Sequence, residues 1–86
     1  MYAVYILYAE KYQKTYVGFT SDLNNRLLSH NSLSKKGYTY RFRPWRLIHC
    51  ENFESKIEAM KKEKYFKSGI GRKWITENWE ALIKNS

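Results

Sequence analysis

The chain has 86 residues and carries sixteen Lys and Arg against eight Asp and Glu, a net charge of +8. That length suits one domain over residues 1–86, whose core hides about 60% of the unfolded chain's surface. Three Trp, eight Tyr and four Phe make the core unusually aromatic, and a lone cysteine, Cys50, excludes an internal disulfide or a cysteine-built zinc site, so nothing points to secretion.

The opening MYAVYILYAEKYQK sets apolar residues before charge. A signal peptide has the reverse order, and a membrane span needs about twenty apolar residues. A cytoplasmic protein with no membrane partner is the expectation. Residues 2–8, YAVYILY, are β-branched and aromatic and bounded by charge, so they read as a strand. Residues 9–14 form a polar loop, and 15–19, TYVGF, make a second strand, giving a hairpin. Ser21 or Asp22 can cap a helix running to about Asn31. A basic loop ends at Pro44, which suits the start of a strand and not its centre. WRLIHCENF, 45–53, is the third strand. Ser55 opens a helix through Lys67, broken at Gly69 and Gly71, and a last helix from Arg72 to Lys84 brings Trp74, Trp79 and Leu82 within reach of the core. The order β-β-α-β-α-α predicts an α+β domain around one small sheet.

Spacing then groups particular residues. At 100° per residue, Leu23 and Leu27 share one line of the first helix, with Arg26 and His30 beside it. On the strands, Ala3, Tyr5 and Leu7 share a face, as do Tyr16 and Gly18. If the two tyrosines lie on one sheet face, Gly18 leaves room between them for a substrate backbone. Ala59, Met60, Phe66 and Ile70 form an apolar arc on the later helix, and Glu63 falls in its middle, where a carboxylate needs a partner or a metal. Each feature has a plainer reading: the tyrosines as packing, Arg26 and His30 as a solvated flank, and Glu63 as the i,i+4 partner of Lys67. Positions 35–46, KKGYTYRFRPWR, hold five cations and no acid. Tyr38, Tyr40, Phe42 and Trp45 are interleaved among Lys35, Lys36, Arg41, Arg43 and Arg46. Cations neutralise phosphates and aromatic rings stack on bases, so this stretch, with Lys67, is a candidate nucleic-acid surface.

Taken together, VYI at 4–6, YVG at 16–18, Arg26, His30 and Glu63 in EAMKKEKYFK resemble the GIY-YIG nuclease family, and more narrowly its small stand-alone bacterial members. The resemblance spans residues 2–67. The glycine of the first motif is Ala3 here, Phe19 follows the second, and Asn78 is the nearest counterpart of the family's terminal-helix asparagine. The resemblance implies a three-stranded antiparallel sheet with flanking helices. It implies hydrolysis of a phosphodiester in nucleic acid, DNA foremost, with one divalent ion, Mg²⁺ or Mn²⁺, and no obligate protein partner. Glu63 would be the metal ligand, since Mg²⁺ favours hard oxygen donors and keeps several waters. Arg26 would present its planar fork to the phosphate. Tyr5 or Tyr16 would be the base toward water, with His30 able to take a proton on. Two other readings stay open: a catalytically inactive nucleic-acid-binding module of the same fold, and a basic protein–protein adaptor.

Overall fold

A computed structural model describes residues 1–33 and 37–84, with the side chains at 32, 33, 38 and 39 excepted. Its centre is β1 (Tyr2–Ala9), flanked antiparallel by β2 (Lys14–Thr20) and β3 (Arg46–Phe53) in the order β2-β1-β3. From Ala3 to Ala9 every residue of β1 is buried. A central strand covered on both faces reads as a continuous apolar run, which is why YAVYILYA shows no polar alternation. Val4, Ile6 and Tyr8 point to one face and join Val17, Ile48, Ala59, Phe66, Ile75 and Leu82. Tyr5, Leu7 and Ala9 point to the other and meet Trp45, with Leu23, Leu27, Phe42 and Leu47 closing over them. A register shift between Ile6 and Leu7 interrupts the pairing of β1 with β3.

Helices cover the two faces unequally. The Tyr5 face carries α1 (Leu23–Leu28) and the short α2 (Tyr38–Arg41); α1 widens at its end into a π turn over Ser29–Leu33. Asp22 caps α1 by accepting from the Asn25 amide at 3.2 Å. The opposite face carries α3 (Lys56–Lys67), α4 (Gly69–Glu77) and α5 (Trp79–Lys84). Ser55 caps α3 through the Ile57 amide at 3.2 Å.

Three expectations need correction. The break after α3 lies at Ser68, whose hydroxyl accepts from the Gly71 amide at 3.3 Å and starts α4 there. Gly69 and Gly71 lie inside the new helix instead of ending the old one. The last helix is two, divided at Asn78, whose Nδ2 donates to the Trp74 carbonyl at 2.8 Å. This bond caps the end of α4. Finally, the apolar arc on α3 holds only in part: Ala59 and Phe66 are buried, but Met60 is 47% exposed and Ile70 73%. Met60 lies about 100° around the helix from Ala59, and Ile70 belongs to α4, which runs in a new direction after the Ser68 cap.

Gly71 explains how α4 can follow so tightly. A Cβ there would run into the Tyr65 carbonyl and Phe66 Cα, both backbone, whereas a Cβ on Gly69 would meet nothing within 4 Å. Gly71→Ala is therefore expected to lower stability by about 1–3 kcal/mol or more, the cost of overpacking against atoms that cannot move aside. Gly69→Ala should be near neutral, and urea denaturation of the pair measures the contrast.

Candidate active site

The register opposes Tyr5 to Gly18 and Leu7 to Tyr16, and opposed residues share a face. Both tyrosines therefore lie on one side of the sheet. Their ring centroids are 6.3 Å apart. The space above Gly18 is nevertheless not open to a substrate backbone, as its position in the strand suggested. The Tyr5 ring fills it: a Cβ on residue 18 would sit 2.5 Å from the Tyr5 hydroxyl oxygen, 2.8 Å from Cζ and 3.1 Å from Cε1 of Tyr16. Gly18 exists so that the phenol can cross the neighbouring strand.

The crossing leads to His30. Tyr5 is 1% exposed and His30 3%, and the Tyr5 hydroxyl lies 3.0 Å from His30 Nε2. The imidazole also stands 4.9 Å from the Tyr16 ring. Arg26, one turn earlier on α1 and exposed, lies close enough to interact electrostatically with both tyrosines. Arg26 and His30 therefore do not merely decorate a solvated helix.

The protonation states follow from burial and charge. Burial drives the Tyr5 phenol above its ordinary value, with Tyr16 and Glu63 adding to the rise and Arg26 opposing it. Nearby cations do not lower this phenol overall. Burial, reinforced by the positive charge of Arg26, pushes His30 down. A neutral His30 accepts the Tyr5 proton's hydrogen bond at Nε2, a tautomer assigned from that partner, with hydrogen on Nδ1. Arg26 is raised further by its interaction with Tyr5.

Glu63 approaches from α3. It lies about 40° from Ala59 around the helix, at the margin of the face that buries Ala59 and Phe66, and its side chain is 23% exposed. Its Oε2 is 3.6 Å from Lys67 Nζ, so the i,i+4 pair does form. The same ammonium lies 6.0 Å from the Tyr16 ring centroid, and the Glu63 charge is felt at Tyr5. Among the described residues no three His, Cys, Asp or Glu side chains gather to hold a metal. A divalent ion here would have one protein carboxylate, with water and substrate oxygens as its remaining ligands, an arrangement that suits Mg²⁺.

The candidate polyanion contacts scatter more widely. Arg43 stacks on Tyr40 at 4.3 Å, and Arg41 and Lys14 lie over Phe42 at 5.5 and 5.6 Å. Tyr12, Gly37, Tyr40, Arg41, Phe42 and Arg43 line an open cavity of about 850 Å³. Arg46 is exposed and opposes Tyr8, which puts it on the sheet face away from Tyr5. Lys35 and Lys36 lie outside the described residues.

Asn31 belongs with this site although its spacing gave no hint of it. Its Nδ2 donates to the Trp45 carbonyl at 2.9 Å and its Oδ1 accepts from the Trp45 amide at 2.6 Å. One carboxamide thus ties the π turn beside His30 to the start of β3, and the Trp45 ring stands 6.2 Å from that of Tyr16. The available signal was chemical: an asparagine next to a site histidine carries both a donor and an acceptor and can bind a whole peptide unit.

Because folding lowers the His30 value, the unfolded chain binds its proton at a higher pH. The stability tied to neutral His30 is then present above about 6.5, the unfolded value, and is lost as pH falls toward the lower folded value. The His30 ring resonances should titrate below about 6.5. Between about pH 7 and pH 5, the urea midpoint of the wild type should drop more than that of His30→Gln, which has no such proton to bind.

Comparison with known proteins is consistent with this geometry. A family model for the GIY-YIG catalytic domain matches residues 1–74. The chain is 37% identical over 88 residues to a UPF0213 protein of Limosilactobacillus reuteri, covering 96% of this chain and 91% of that one. It is 48% identical over 52 residues to a UPF0213 protein of Bacillus velezensis, covering 60% of this chain, and spans only about half, 52%, of that relative's length. The solution NMR structure of a UPF0213 protein from Bacillus halodurans matches with a TM-score of 0.53 and 32% identity, over 90% of this chain and 84% of that one. No helix among the described residues is long and apolar enough to cross a membrane. The chain belongs to the GIY-YIG catalytic-domain family, among the UPF0213 proteins.

Proposed function

We propose that this chain is a metal-dependent endonuclease that hydrolyses phosphodiester bonds in nucleic acid, DNA foremost. The observation that carries the reading is the Tyr5 hydroxyl, buried and held 3.0 Å from the acceptor nitrogen of His30, with the charges of Arg26 and Glu63 both felt at the phenol. A purely structural tyrosine needs one partner. This one has a proton acceptor and lies in the field of a permanent cation and a carboxylate.

Each residue then has a task. Arg26 is exposed and its planar guanidinium can reach two phosphate oxygens. Tyr5 takes a proton from the attacking water while passing its own to His30, so the raised phenol never has to ionise freely. The water oxygen bonds to phosphorus as the leaving oxygen departs and is protonated from solvent. Tyr16, less buried than Tyr5, orients the water or a phosphate oxygen. Glu63 would hold the divalent ion, whose charge offsets that developing on the phosphate and leaving oxygen. Freeing Glu63 from Lys67 costs little, because a pair this open to solvent contributes about 0–1 kcal/mol. Lys67, the cations of Arg41 to Arg46, and Lys35 and Lys36 serve affinity for the polyanion.

The test is nicking of plasmid and branched DNA with Mg²⁺ or Mn²⁺ against EDTA. Metal-dependent cleavage is expected, and Glu63→Gln should abolish it with DNA affinity unchanged or slightly raised. Salt-dependent binding without any cleavage by the wild type would favour the inactive binding module, and full activity in Glu63→Gln would remove the metal-ligand assignment. Arg26→Lys separates shape from charge. Under single-turnover conditions at saturating enzyme, cleavage should fall roughly 10²- to 10³-fold, the loss typical of one preorganised donor. Binding should change far less, since other cations share that work.

A further inference from the structure

Two open cavities adjoin the candidate site along the outer edge of the sheet. One, of about 380 Å³, includes Tyr16, Lys67 and Arg72 in its lining. The other, of about 580 Å³, includes Lys14, Arg72 and Trp79. They share Thr15, Arg72 and Ile75, so they form one groove between β2 and the α3–α4 junction. Among the described residues β2 ends the strand order on that side. Lys67, Arg72 and Lys14 supply positive charge along the groove, and no Asp or Glu is among the lining residues of either part. At its far end Lys14 lies over Phe42 at 5.6 Å, where the Tyr40–Arg43 patch begins.

We propose that this groove receives one unpaired strand of nucleic acid and carries it away from Tyr16 along β2 toward Phe42. The inference rests on the endonuclease reading for which phosphate lies at Tyr16, but the groove is a separate surface from the basic loop. Its composition selects the ligand class. Three cations track a polyanion, while the part-exposed indole of Trp79 offers an apolar surface above the buried Ile75. Stacked and paired bases in a duplex cannot use such a surface, whereas unpaired bases can. From Tyr16 to Lys14 the strand spans about 7 Å at 3.3 Å per residue, room for about two nucleotides at the 3.4 Å spacing of a stacked strand.

The full chain without metal, titrated by NMR with a single-stranded oligothymidylate of about eight nucleotides, tests the assignment. The amides of Thr15, Lys67, Arg72 and Thr76 should shift, and a duplex of equal length should shift them less. Lys14→Gln with Arg72→Gln, both exposed positions, should reduce the slope of log K against log salt by about 1.4, two single-strand phosphate contacts. The melting curve of the double variant checks that it folds. Shifts confined to Tyr40–Arg43, an unchanged slope, or equal shifts with the duplex would each overturn the proposal. Cleavage by the wild type with an unchanged slope removes the groove and leaves the endonuclease. Strand binding in the groove without cleavage does the reverse.

Discussion

A phenol that is 1% exposed must find a hydrogen-bond partner, and most of the site is the consequence of supplying one. Leaving a buried hydroxyl unpaired costs about 1–3 kcal/mol. The partner is His30, 25 residues away on a different element. Reaching it requires the Tyr5 ring to cross β2, which only a residue without a side chain permits, hence Gly18. It also requires the end of α1 to be held against the sheet. The Asp22 cap, Leu23 and Leu27 fix the helix, and the Asn31 clamp on Trp45 fixes the turn that carries His30.

Arg26 lowers the proton affinity at both ends of that hydrogen bond, against burial at Tyr5 and together with it at His30. Its charge favours the phenolate of Tyr5 and disfavours the protonated form of His30. At Tyr5 burial outweighs it, so the phenol keeps its proton. At His30 burial and charge work together, so the ring stays neutral and able to accept. A protonated His30 could only donate to Tyr5, and the bond would reverse or break. Burial sets the direction of this hydrogen bond, and one exposed cation reinforces it at the His30 end.

How much of this was legible depended on the kind of signal. The three strands were readable because β-branched and aromatic runs bounded by charge leave little choice, and the pairing of Tyr5 with Gly18 makes sense of a glycine inside a strand. Arg26 and His30 were readable as neighbours because four residues make about one turn. The path of the Tyr5 ring was not, since the pattern gives a face but no rotamer, and the space reserved by Gly18 went to a side chain instead of a ligand. The break at Ser68 was displaced to the glycines for a similar reason: a hydroxyl that caps a following helix is a weaker mark than Gly, yet it decided the boundary. Ile70 was grouped with Ala59 by a helical spacing that the Ser68 break interrupts, and Met60 lies about 100° from Ala59 around α3. Asn31 escaped because its partner is fourteen positions away in the chain and is backbone, which leaves no pairwise pattern to read.

The two faces of the sheet divide the work, and β2 reconciles them. Val4, Ile6, Val17, Ile48, Phe66, Ile75 and Leu82 form the larger cluster under α3, α4 and α5, while the tyrosine face has only α1 and α2 above it. Glu63 and Lys67 belong to a helix on the first face, yet they act on Tyr5 and Tyr16 on the second. The route runs around the edge of the sheet and not through it. α3 buries Ala59 and Phe66 and leaves Glu63 and Lys67 on the margin beside β2, which ends the strand order among the described residues. A further strand paired outside β2 would separate the carboxylate from the phenols. With the order β2-β1-β3, α3 brings a carboxylate of one layer to the sheet edge, within electrostatic reach of the Tyr5 hydroxyl on the other.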